Sequence, residues 1–198
     1  MKLRLKLAAV IAVLGTAGIA TAATTHEKGA SNFSAKLTGY EETPTLSTTA
    51  VGSFTATINK AEDQISYTLS YAGAFDANPA GGTVTQSHIH FGAPAIAGGI
   101  SAFLCSNLGN GPAGTPACPT PGGTVSGVIT AAQVIGPAAQ GISAGEFAEL
   151  VRAIRAGAAY ANLHTTTFPA GEIRGQIKAR DDDEDDDHGN RGHGNDHH

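Results

Sequence analysis

The stretch Ser53-Phe54-Thr55-Ala56-Thr57-Ile58, the polar break Asn59-Lys60-Ala61-Glu62-Asp63 and the stretch Ile65-Ser66-Tyr67-Thr68-Leu69-Ser70-Tyr71 decide the fold class. In both runs apolar residues alternate with Ser and Thr at a period of two, the pattern of a strand with one face in a core and the other in water. The break between them is rich in turn formers, so the pair reads as an antiparallel hairpin.

The same alternation extends outward in both directions. Upstream, Phe33, Ala35 and Leu37 face one way, while Ser34, Lys36 and Thr38 face the other. Downstream, further strands are predicted over 87–91, 99–104, 125–130, 158–164 and 172–178, separated by Gly, Pro, Asn and Asp. One segment follows another period. Ser143 and Glu146 have capping-box spacing, Phe147, Leu150, Val151 and Ile154 recur at helical intervals, and Gly157 offers a C-terminal cap. Arg152 and Arg155 fall off that apolar stripe and read as solvated charges. Many short strands with one helix predict an all-β antiparallel sandwich or barrel carrying one short α-helix.

The two ends of the chain differ in kind from this body. Lys2, Arg4 and Lys6 precede an uncharged run over 7–19 and the small-residue exit Ala20-Thr21-Ala22, the order of a secretory signal peptide over 1–22. A short lead (23–31) and one domain (32–179) follow. The run is at the short edge of a membrane span, and no later segment is long and apolar enough, so no span is expected after processing. Residues 180–198 hold seven consecutive carboxylates and then four histidines. Such a run buries nothing and repels itself, which predicts a disordered tail; its residues read equally as a solubilising extension or as a loose site for divalent ions. The rest of the chain is close to neutral and lacks clustered Lys and Arg, which excludes an electrostatic nucleic-acid surface.

Export also frames the two cysteines, Cys105 and Cys118, which lie in a Gly- and Pro-rich segment. In an oxidising compartment they read most simply as a disulfide stapling one loop. A pair of metal thiolates is the other reading, and the spacing is far from C-x-x-C.

Three blocks together carry a family resemblance: F-x-A-x-L-x-G-x-E-E-x-P (33–44), S-H-I-H-F-G (87–92) and A-Y-A-N-L-H-T-T-T-F-P-A-G-E-I-R-G-Q-I (159–177). Their content and order resemble the CHRD domain, the module named after chordin, over nearly the whole body. The resemblance implies an immunoglobulin-like or superoxide-dismutase-like β fold and an extracytoplasmic setting, secreted or periplasmic. It implies no particular activity. The segment 103–124 is longer than the family pattern, and the acidic tail is no part of it.

The second and third blocks also hold the candidate chemistry. His88 and His90 are two apart on a predicted strand, so both rings leave the same face. His164 ends another predicted strand, with Asn162 on its face, and is a third imidazole if the two strands are neighbours. Imidazole suits copper and zinc. Glu172 or Glu41 is a further candidate ligand or ring-orienting partner. The H-x-H pair also looks like the copper-binding pair of copper-zinc superoxide dismutases, and that resemblance would make His88, His90 and His164 copper ligands. A dismutase needs four copper histidines and a zinc loop; this domain holds three histidines and no such loop. Dismutase activity is therefore not expected. The competing reading of each ring is an ordinary hydrogen-bonded histidine.

In Pro169-Ala170-Gly171-Glu172-Ile173-Arg174-Gly175 a turn leads into a strand. Ile173 is predicted to face the core, with Glu172 and Arg174 on the other face. A salt bridge with neighbours is the expected role for these charges, and an anionic ligand at Arg174 the other reading. No nucleophile triad or phosphate loop appears. The residues thus leave two functional readings. One is a non-enzymatic module that binds a protein or a cell-surface component through Thr- and Ser-rich sheet faces. The other is a copper or zinc protein built on the three histidines.

Overall fold

The computed structural model describes residues 29–73 and 83–180. The expected signal peptide, most of the lead and the acidic tail lie outside these residues. The described chain forms strands β1 (Asn32–Thr38), β2 (Val51–Ile58), β3 (Ile65–Ala72), β4 (Val84–Phe91), β5 (Gly99–Ser106) and β6 (Gly123–Ile129). Helix α1 (Phe147–Arg155) then precedes β7 (Ala159–Thr165), β8 (Ile173–Gln176) and β9 (Lys178–Ala179).

All pairings are antiparallel, and the strands make one sheet in the order β5-β4-β7-β8-β1-β2-β3-β6, with β9 also on β1. The predicted hairpin is β2–β3, with Ile58 opposite Ile65 and Phe54 opposite Leu69. The Asn59 Oδ1 accepts from the backbone N–H groups of Asp63 and Gln64 and closes its turn.

The sheet curls until its two end strands approach, giving a nearly closed barrel. Three links cross the seam between β5 and the β3–β6 side. The Tyr67 hydroxyl donates to Leu104 O at 2.6 Å, the Tyr71 hydroxyl donates to Pro119 O at 2.6 Å, and Cys105 is disulfide-bonded to Cys118. Near-closure protects the edge groups of β5 and β6 that an open sheet would expose. Inside lies one apolar core, in which Phe33, Leu37, Phe54, Ile65, Leu69, Ile89, Leu104, Leu163 and Ile173 are fully buried.

Three details differ from the sequence reading. The predicted strand 172–178 splits at Ile177, because the chain leaves β7 to pair its end with Phe33 and Ser34 of β1. The capping box forms only in part: the Glu146 carboxylate accepts from the Ser143 N–H at 2.6 Å, while the helix begins at Phe147. Gly157, at φ +65°, ends it as expected. Arg155, expected to be solvated, donates to Glu62 at 2.8 Å and to Ala30 O, so it ties the lead and the β2–β3 turn to the helix.

Candidate metal centre

Both faces of the β4–β7–β8 wall are covered, and the two faces differ in character. Ile89, Ala161, Leu163 and Ile173 point into the apolar core. On the opposite face the register sets His88 across from Asn162, His90 across from Tyr160, and Asn162 across from Arg174. His164 pairs with Gln86, one diagonal step from His88. Opposite β4, β5 slips register between Ser87 and His88 and again between Ile89 and His90. Such bulges re-aim side chains.

The three histidines meet in this polar layer, nearly shut off from water: His88 is 0%, His90 8% and His164 5% exposed. One ring nitrogen from each lies within 4.8 Å of the other two. The closest pair is His88 Nδ1 and His164 Nε2, 3.1 Å apart. Two ligands on a tetrahedral ion with bonds of 2.0–2.1 Å sit about 3.3 Å apart, so this pair already has the spacing of a coordination edge.

Backbone carbonyls fix the tautomers. His90 Nδ1 lies 2.9 Å from Gly98 O and His164 Nδ1 3.1 Å from Pro169 O. A carbonyl only accepts, so each Nδ1 carries the proton and each Nε2 keeps its lone pair. The His164 Nε2 lone pair faces His88 Nδ1, which donates to it in the metal-free protein. That leaves His88 Nε2 and His90 Nε2 buried with no hydrogen-bond partner. Desolvation holds all three rings neutral. It pushes His88 down to about 2, helped by His164 and His90, pushes His90 down to about 4 against its Gly98 hydrogen bond, and lowers His164 as well.

Aromatic contacts hold the rings in place. Phe103 meets His88 edge to face, with centroids 4.4 Å apart. The Tyr160 ring stacks on His90 at 4.9 Å, and the Arg174 guanidinium lies 3.5 Å over that same Tyr160 ring. The Tyr160 hydroxyl accepts from the Gly98 N–H at 3.0 Å, so tyrosine and imidazole share one anchor. Gly98 is required there: a Cβ would lie 1.8 Å from Phe91 O.

Arg174 is a buried cation, 2% exposed, and no carboxylate pairs with it among the described residues. The expected salt bridge is therefore absent. Its guanidinium donates instead to Ala93 O and Ile96 O, both at 3.0 Å, which pins the β4–β5 connection over the wall. Glu172 is not brought to the histidines: its carboxylate accepts from Thr48 at 2.9 Å and from Thr165 at 2.7 Å. Glu41 is exposed and also stands apart.

The carboxylate that does reach this face is Glu42, which the sequence reading passed over. It accepts from Asn162 Nδ2 at 2.6 Å, and burial raises it to about 7 despite that hydrogen bond and the Arg174 charge. Gly171, at φ +136°, lets the β7–β8 turn pass close by: a Cβ there would lie 2.7 Å from Asn162 and 2.8 Å from Glu42.

The three motif blocks of the sequence thus converge on one polar layer, from the β1–β2 connection, β4 and the β7–β8 hairpin. No curated protein and no solved structure matches the chain significantly. The family model of the CHRD domain matches residues 33–177, from β1 through β8, and the chain belongs to the CHRD domain family.

Proposed function

We propose that this is an exported CHRD-domain protein whose barrel wall binds one copper or zinc ion through His88, His90 and His164, as a holding or delivery site and not as a dismutase. One observation carries the reading: three buried histidines each bring a ring nitrogen within 4.8 Å of the other two, and His90 Nε2 among them has a lone pair with no hydrogen-bond partner. Leaving a buried polar atom unpaired costs about 1–3 kcal/mol, and an ion bound at His90 Nε2 removes that cost there. The carbonyls of Gly98 and Pro169 support it further, since ligating histidines commonly donate their other N–H to such partners. Export is supported by the charged-then-apolar N-terminal order and by the Cys105–Cys118 disulfide.

The interaction-module reading has its own support on the far side of the barrel. There Thr68 bonds to Ser126 and Ser70 to Thr124, forming an exposed hydroxyl ladder between β3 and β6. A partner on that face leaves the histidine site untouched, so the two roles are compatible. The test of the metal reading is bound metal per chain in full-length protein whose tail histidines, His188, His193, His197 and His198, are changed to Ser. One equivalent of copper or zinc, lost in His164→Ala, supports it; none at saturating ion refutes it.

A further inference from the structure

Resting on that reading, we propose that the triad is built for monovalent copper in preference to zinc or divalent copper. Three features of the wall set the charge it tolerates. First, every member of the cluster is a neutral imidazole, and no carboxylate or thiolate belongs to it; the cysteines of the chain are in a disulfide. Second, the three rings are nearly excluded from water. The cost of placing an ion in such a medium grows with the square of its charge, so a dication is penalised about four times as heavily as a monocation.

Third, the charged group stacked against the cluster is cationic, while the Glu42 carboxyl of the same face is hydrogen-bonded to Asn162 and raised by burial to about 7. Arg174 lies 3.5 Å from the Tyr160 ring centroid, and that ring lies 4.9 Å from His90. Through an effective dielectric of about 20, one unit charge at this remove separates a divalent from a monovalent ion on the order of tenfold.

Zinc centres with three histidines keep a fourth position open to water, and sites that hold dications in closed surroundings generally supply anionic ligands. Monovalent copper has a filled d shell, accepts two or three ligands, and needs neither a water nor an anion. A closed, uncharged set of three nitrogens beside a buried guanidinium is matched to it.

The experiment uses the full chain with the four tail histidines changed to Ser, titrated with Cu(I) under anaerobic ascorbate against a chromogenic copper(I) chelator. Zn(II) and Cu(II) are titrated in parallel against their own indicators. One Cu(I) per chain is expected, bound at least about tenfold more tightly than Zn(II) and lost in His90→Ala. In Arg174→Gln the preference narrows on the order of tenfold; should that variant fail to fold, the ratio in the parent protein decides. Zn(II) or Cu(II) held at the triad as tightly as Cu(I) overturns this inference and leaves the metal reading standing. No ion of any kind at the triad overturns both.

Discussion

His88 Nδ1 and His164 Nε2 lie 3.1 Å apart across the β4–β7 pairing, although 76 residues separate them in the chain. The contact exists because β4 and β7 are neighbours, and because the turn after β7 presents Pro169 O to the other side of the His164 ring. Folding therefore sets both the position and the tautomer of this imidazole before any ion arrives.

Acid should destabilise the metal-free protein from about pH 6.5 downward. The unfolded chain takes up protons on these histidines near 6.5, while the fold holds His90 down to about 4 and His88 down to about 2. Below 6.5 the unfolded state thus binds more protons, and stability falls with pH until the folded values are reached. Glu42, raised to about 7 by burial, works the other way between its ordinary 4.5 and 7, since the fold keeps a proton that the unfolded chain releases. Three rings outweigh one carboxyl, so the urea midpoint declines from pH 6.5 to 4.5 and declines more steeply in Glu42→Gln. A flat profile contradicts the buried neutral triad.

Gly171→Ala should cost about 1–3 kcal/mol for its positive φ, and more for the contact of its new Cβ with Asn162 and Glu42. Gly145→Ala shares a positive φ, at +85°, but has nothing within 4 Å of its Cβ. The urea midpoint of Gly171→Ala therefore drops further than that of Gly145→Ala. Equal losses count against the close approach of the β7–β8 turn to Asn162.

Leu163→Ala removes a fully buried core side chain from β7, next to His164 but on the opposite face. It should cost about 2–5 kcal/mol in denaturant unfolding and leave the metal stoichiometry of the folded protein unchanged. Loss of metal at temperatures where the variant is still folded shows that the two faces are not independent.

Replacing Cys105 and Cys118 together with Ser opens a loop with a sequence separation of 13. The chain-entropy account gives a loss of about 3 kcal/mol. Differential scanning calorimetry of the oxidised parent and the double variant measures it, and indistinguishable melting contradicts the view that the staple holds the barrel seam.

Much of this was legible because it depends on local rules. Alternation in 54–58 and 65–71 gives strands whose register the turn then fixes, and helical spacing in 147–154 gives α1. His88 and His90 share a face by the same period of two. Strand order is not local: nothing in 159–165 says that β7 pairs with β4, and on that pairing the third imidazole depends. The places of Glu42 and Arg174 are not legible for a similar reason. Which carboxylate reaches the wall depends on how the β1–β2 connection folds over it, and Arg174 finds carbonyls of a distant connection where strand periodicity predicts only a face.

Metal-dependent melting shows whether folding gathers His88, His90 and His164 into one metal site. In full-length protein with the four tail histidines replaced, Cu(I) or Zn(II) at a hundred times its dissociation constant should add about 2.7 kcal/mol of stability. This gain should vanish in His88→Ala and in His164→Ala. An equal gain in parent and variants, or no gain in the parent, contradicts such a site.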